Sequence, residues 1–207
     1  MSPILKKIGM ILLILMAAIG VSGFIYTWTD TDGIKHYSNI APPAEGDARA
    51  VAEDVTKLPK GHQFIVVKIF DGDTVMVKGV GLRFTIRLVG IDTPELGRKG
   101  KKDQPYSQEA KQKITQLLGK NTISLTQYGI GGYNRVLAEI FVDETNINLE
   151  MVRAGLAEVY RGKRPSKFDP IRYFQAEKLA KDTRKGMWVQ GNVYKSPGLW
   201  RRELKRK

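Results

Sequence analysis

Between residues 64 and 142, five short runs alternate apolar and polar side chains: FIVVKIF (64–70), TVMVKG (74–79), RFTIRLVG (83–90), TISLTQY (122–128) and RVLAEIFV (135–142). A period of two lays one apolar face along an extended chain, so each run reads as a strand with one buried side. Turn signals at Asp71-Gly72-Asp73 and at Gly79 to Gly81 separate the first three and predict two successive hairpins. SQEAKQKITQLLG (107–119) then places Ala110, Ile114, Leu117 and Leu118 at helical spacing and stops at Gly119. Two more helices are expected, over 146–160 and 168–188, the last with Asp169 ahead of Pro170 as a cap and first-turn pair. The order is α+β: three strands, a helix, two strands and two helices. Five short strands can close into a small barrel and so lose their exposed edges. Periodicity alone leaves an open α+β sheet equally available.

Upstream, Lys6 and Lys7 precede an apolar run from Ile8 to Ile25. Its 18 residues reach the lower limit of a membrane-spanning helix. They also fit a secretory signal, with small residues at 20, 22 and 23 for cleavage near Gly23. Either reading of residues 1–25 predicts an exported chain, periplasmic or extracellular, secreted or anchored to the cytoplasmic membrane. In YTWTDTDGIKHYSNI (26–40), Tyr26, Trp28 and Tyr37 flank the turn pair Asp32-Gly33, which predicts a small hairpin. The pattern resembles a short aromatic module (YxWxDxxGxxHYS) of bacterial envelope proteins, placed here at 26–43. Residues 44–62, rich in Ala, Pro, Gly and acids, read as a linker. The main domain is expected over 63–190, followed by a basic tail over 191–207.

A net charge of +13 favours a polyanionic partner or an anionic membrane surface. The absence of cysteine excludes disulfides, thiolate nucleophiles and cysteine-held metal centres. With only two histidines, any metal is expected to be a hard cation held by oxygens. Against this basic background, Asp71 and Asp73 stand in one turn, and the stretch GIDTPE (90–95) ends the third strand with Asp92 and Glu95. Arg87 lies inside that strand at the parity of Thr85 and Val89, and Arg135 opens the fifth. An arginine within an apolar run requires an acidic partner or a bound phosphate. Clustered carboxylates suit a hard cation, which can polarise a phosphoryl oxygen. Guanidiniums can grip a phosphate and stabilise a five-coordinate transition state, and a carboxylate can orient or deprotonate water. These are the residue types that phosphodiester hydrolysis requires.

The ordered set V-x-x-x-D-G-D-T-V, I-R-L-x-G-I-D-T-P-E, Q-P-Y-x-x-E-A, Y-x-R-x-L-A-x-I, N-x-x-L-x-x-x-G-L-A and K-G-M-W resembles the staphylococcal-type thermonuclease family from about residue 63 to 190. The resemblance implies an OB-type barrel of five strands with three helices. It implies calcium-dependent endonucleolytic hydrolysis of DNA and RNA with little sequence preference. Carried over by motif, it makes Asp73, Asp92 and the carbonyl of Thr93 the Ca2+ ligands. Arg87 and Arg135 become the catalytic arginines, and Glu95 the residue that handles water, as a base or by positioning it. The usual Y-G-R segment reads Tyr133-Asn134-Arg135 here, with IGG (130–132) ahead of it. Asn tolerates left-handed backbone, so Arg135 is expected to keep its place.

The loop RKGKKD (98–103) directly follows GIDTPE, so Lys99, Lys101 and Lys102 are expected to meet substrate phosphates. Tyr106 and Tyr133, beside the motifs, are candidates for stacking on bases. The basic tail could instead meet anionic lipid. Nothing in the sequence calls for an obligate protein partner. Two rival readings are a non-catalytic nucleic-acid-binding module and an envelope structural protein. The first does not account for a complete set of acids and arginines, and the second explains only the N-terminus.

Overall fold

The computed structural model describes residues 26–29, 35–38, 49–50, 61, 63–79, 81–97 and 100–206. The chain divides into two compact units, Met1–Glu53 and Asp54–Lys207. In the first, β1 (Tyr26–Thr29) pairs antiparallel with β2 (Lys35–Ser38), placing Trp28 opposite His36. The expected turn at Asp32-Gly33 lies outside the described residues. β3 (Arg49–Ala50), within the segment expected to be a linker, pairs with the other edge of β1.

The second unit is built on β4 (Phe64–Asp71), β5 (Thr74–Gly79), β6 (Leu82–Leu88), β8 (Thr122–Gly131) and β9 (Arg135–Val142). β4, β5 and β6 form the two expected hairpins. β6 then pairs parallel with β9, β9 antiparallel with β8, and β8 returns to β4. The five strands therefore close into a mixed barrel of OB type, and the open-sheet alternative falls. The short β10 (Thr145–Asn146) extends the sheet beside β9. The alternation seen in sequence points inward as expected: Val75, Val77, Ile86, Leu88, Val136, Ala138 and Ile140 are buried. Each of the Val, Ile and Leu side chains among them contributes roughly 1.5–3 kcal/mol by leaving water.

Among the described residues there are four α-helices, not the three expected. α1 (Ser107–Leu118) buries Ser107, Ala110, Ile114 and Leu118, and Gly119 closes it through its N–H to the Thr115 carbonyl. α2 (Ile147–Arg153) is capped by Asn146, whose side chain accepts from the Leu149 N–H. It stops far short of residue 160. Gly155 turns the chain at φ +66, and Glu158–Val159 leaves as β11 to pair with β7 (Ile91–Asp92). α3 (Ile171–Asp182) starts where Asp169 accepts the Ile171 N–H, and it gives way to a 3₁₀ segment at Gly186–Val193. α4 (Pro197–Arg206) occupies what was expected to be a basic tail.

Two glycines let the site elements approach. At Gly72 a Cβ would stand 2.9 Å from Ala110 Cβ of α1 and from Thr93 Oγ1, closer than a side chain tolerates. Gly90 takes φ +79 between β6 and β7, and a Cβ there would overlap the ring of Phe168.

Candidate active site

The turn Asp71-Gly72-Asp73 and the end of β6 run side by side, because Thr74 is the register partner of Arg87. Asp73 is therefore brought against Arg87 and the GIDTPE segment. Its Oδ2 accepts from Thr93 N–H at 2.9 Å and from Thr93 Oγ1 at 3.0 Å, and Thr74 Oγ1 donates to its Oδ1 at 3.0 Å. The Arg87 guanidinium bridges two carboxylates, with Nη1 2.7 Å from Asp73 Oδ2 and Nη2 2.8 Å from Asp92 Oδ1. Both acids are almost fully buried. This answers the arginine in an apolar run: its partners are the acids of the two neighbouring motifs.

Arg135 begins β9, whose Leu137 is the register partner of Arg87. Its Nε–H donates to the Gly132 carbonyl at 3.0 Å, and its guanidinium lies 5.6 Å from the centre of the Tyr133 ring. Tyr133 and Asn134 have φ +60 and +56, so the asparagine of the altered Y-N-R segment sits in the left-handed conformation that it tolerates well. Burial, and then repulsion from Arg87, holds Arg135 below the usual guanidinium range. Both arginines line one cleft.

Glu95 is half-buried on the lip of the same cleft. Its backbone N–H donates to Gln104 Oε1 at 3.0 Å and its carbonyl accepts the Gln104 N–H at 2.9 Å, so buried Gln104 fixes the loop. Burial pushes the Glu95 carboxyl up, and a guanidinium from α4, Arg201, draws it back. Asp71 is pushed up to about 7 by burial and by the charge of Asp73. The cleft, about 940 Å³, is lined by Asp73, Arg87, Glu95 and Arg135, together with Tyr133, Lys101, Tyr160, Lys163 and Arg164.

The other expected residues are placed as follows. Tyr133 is 91% exposed, free to meet a flat ligand. Lys101 and Lys102 are exposed, and Lys101 Nζ donates to the Leu204 carbonyl of α4 at 3.1 Å. Lys99 lies outside the described residues. Tyr106 is not at the cleft. It takes φ +71 at the start of α1 and packs against the cluster of Ala180, Met187 and Trp188.

Two residues escaped sequence reasoning. Gln104 carried no signal beyond a place in Q-P-Y. Arg201 was hidden in the presumed tail, although Ser196-Pro197 is a helix-start pair and Ser196 Oγ does accept the Leu199 N–H at 3.2 Å. Arg201 engages both oxygens of Asp92, Nη1 to Oδ1 at 3.0 Å and Nη2 to Oδ2 at 2.7 Å, and also Glu95 Oε1.

Asp73 and Asp92, bridged by the Arg87 guanidinium, Asp92 also meeting Arg201, and flanked by Thr93, are hard oxygen donors of the class that binds calcium. Among the described residues no three acidic, His or Cys groups form a ready metal cage.

The sequence matches the model of the staphylococcal nuclease homologue family over residues 85–190. It is 36% identical over 141 residues to an uncharacterized endonuclease of Haemophilus influenzae, covering 68% of this chain and 73% of that one. It is 36% identical over 129 residues to a probable endonuclease LCL3 of Leptosphaeria maculans, covering 59% of this chain and 43% of the relative. A probable endonuclease LCL3 of Scheffersomyces stipitis is 36% identical over 124 residues, 57% of this chain and 53% of the relative. The chain thus spans about half the length of these fungal relatives.

Proposed function

The chain belongs to the staphylococcal nuclease homologue family, and from that premise we propose that it is a calcium-dependent nuclease, hydrolysing phosphodiester bonds in DNA, RNA or both with little sequence specificity. The observation that carries the reading is the Arg87 guanidinium bridging Asp73 and Asp92 in a cleft shared with Arg135 and Glu95. Asp73, Asp92 and the Thr93 carbonyl would hold the cation. When bound, calcium would supply charge neutralisation and polarisation of a phosphoryl oxygen.

The chain's own groups do the rest. Arg87 and Arg135 grip the scissile phosphate, and an anion between them relieves their mutual repulsion. Glu95, its carboxyl raised by burial, orients or deprotonates the attacking water. Lys99, Lys101 and Lys102 meet flanking phosphates, and Tyr133 offers a stacking face. Tyr106 remains a candidate only if its ring leaves the Met187–Trp188 cluster. The N-terminal apolar run supports export or tethering to the cytoplasmic membrane, and residues 26–43 fit an envelope module. Among the described residues no helix is long and apolar enough to cross a membrane, and residues 1–25 lie outside them.

Plasmid DNA and RNA incubated with the protein in calcium, then in chelator, test the activity. Cleavage that stops with chelator is expected; binding without cleavage would favour the non-catalytic module. Glu95→Gln and Arg87→Ala are expected to lower turnover by about 10²–10⁴ with an unchanged circular dichroism spectrum. Near-normal cleavage by either sinks its role. Asp73→Ala and Asp92→Ala are expected to shift the calcium titration to higher concentration.

A further inference from the structure

α4 carries a cation into the acidic cluster. Arg201 meets Asp92 with two parallel hydrogen bonds, at 3.0 and 2.7 Å, and shares its Nη1 with Glu95. Asp92 is already held by Arg87 at 2.8 Å, so both of its oxygens are engaged. Three further contacts fix the helix. Lys101 Nζ donates to the Leu204 carbonyl at 3.1 Å, Lys195 pairs with Glu203 at 2.8 Å, and Gln104 Nε2 donates to the Lys195 carbonyl at 2.8 Å. Gln104 is the residue that also holds the Glu95 loop. The helix start and the Glu95 loop are thus tied through one amide side chain.

The docked state is not fully satisfied. The Nε1–H of Trp200, next to Arg201, is buried without a hydrogen-bond partner. Burying an unpaired donor disfavours docking. α4 is also basic, with Arg201, Arg202, Lys205 and Arg206 among its ten residues.

Resting on the nuclease reading of Asp92 and Glu95, we propose that α4 is a latch whose Arg201 guanidinium acts as an internal counter-cation, competing with the divalent ion for these carboxylates. A guanidinium and a dication cannot share the same oxygen lone pairs, and their like charges repel at that range. By linkage, calcium at Asp92 loosens α4, and a docked α4 weakens calcium by the same factor. The latch holds the acids paired until cation is abundant.

The test uses the full chain and Arg201→Gln, titrated calorimetrically with calcium chloride in the absence of nucleic acid. Arg201→Gln is expected to bind calcium about tenfold tighter. In the unaltered chain, saturating calcium is expected to speed amide hydrogen exchange within 197–206. That second measurement decides the matter even if Arg201→Gln fails to fold. Equal or weaker calcium binding by a folded Arg201→Gln, or exchange in α4 unmoved by calcium, overturns the latch and leaves the metal site standing. If neither chain binds calcium, the metal-dependent reading itself falls, and the latch with it.

Discussion

The side-chain amide of Asn148 is fully buried beneath the barrel. Its Oδ1 accepts the Ile140 N–H at 3.0 Å, and its Nδ2 donates to the carbonyls of Val89 at 3.0 Å and Ala138 at 3.1 Å. One residue of α2 thereby staples β9 to the chain leaving β6, the two strands that present Arg135 and Arg87. Asn148→Ala would leave three buried backbone groups without these partners. It is expected to destabilise the fold by about 2–4 kcal/mol in chemical denaturation; a loss under about 1 kcal/mol would remove this role. At this scale the site was half legible. Asp73, Arg87, Asp92, Glu95 and Arg135 stand in ordered motifs of unusual charge; Asp73, Arg87, Glu95 and Arg135 line one cleft, and Asp92 is paired to its Arg87. Arg201, Gln104 and Asn148 stand in ordinary surroundings, and only the contacts they make give them meaning.

Among the elements, β11 shows what a short pairing can do. Glu158 is the register partner of Asp92, and its nearly buried carboxylate accepts from Tyr194 Oη at 2.7 Å. Burial pushes the carboxyl above the usual glutamate range, against a smaller opposing pull from Tyr194. The folded chain therefore holds this proton at a pH where the unfolded chain has lost it. Stability falls as pH rises from the ordinary glutamate range through the raised value, and stays lower above it. Glu158→Gln is expected to be more stable than the unaltered chain at neutral pH, with the two converging in acid. A difference independent of pH would show that Glu158 is not the titrating group. Strands and α1 were legible because their periods are local. α2 was read too long because its pattern continues past Gly155, where the chain takes φ +66 and turns away. α4 was missed because its composition reads as a solvated tail.

For the whole molecule, the net charge of +13 predicts that binding of the proposed nucleic-acid substrate is a steep function of salt. In calcium-free buffer, the binding constant for duplex DNA is expected to fall linearly on a log–log salt plot, by about 0.9 per phosphate neutralised. Lys102→Ala is expected to reduce that slope by about 1; an unchanged slope would mean that Lys102 meets no phosphate.

Sequence alone determined the five barrel strands, which acids and arginines stand out against them, and the order in which they come, because period and motif are local properties of a chain. Tertiary structure decided the rest. Closure depends on β8 meeting both β4 and β9, and on β6 running parallel to β9. Those pairings join residues far apart in the chain, so no local pattern encodes them. The same holds for the partner of Asp92. An arginine 109 positions away reaches it only because the closed barrel offers α4 a surface on which to dock.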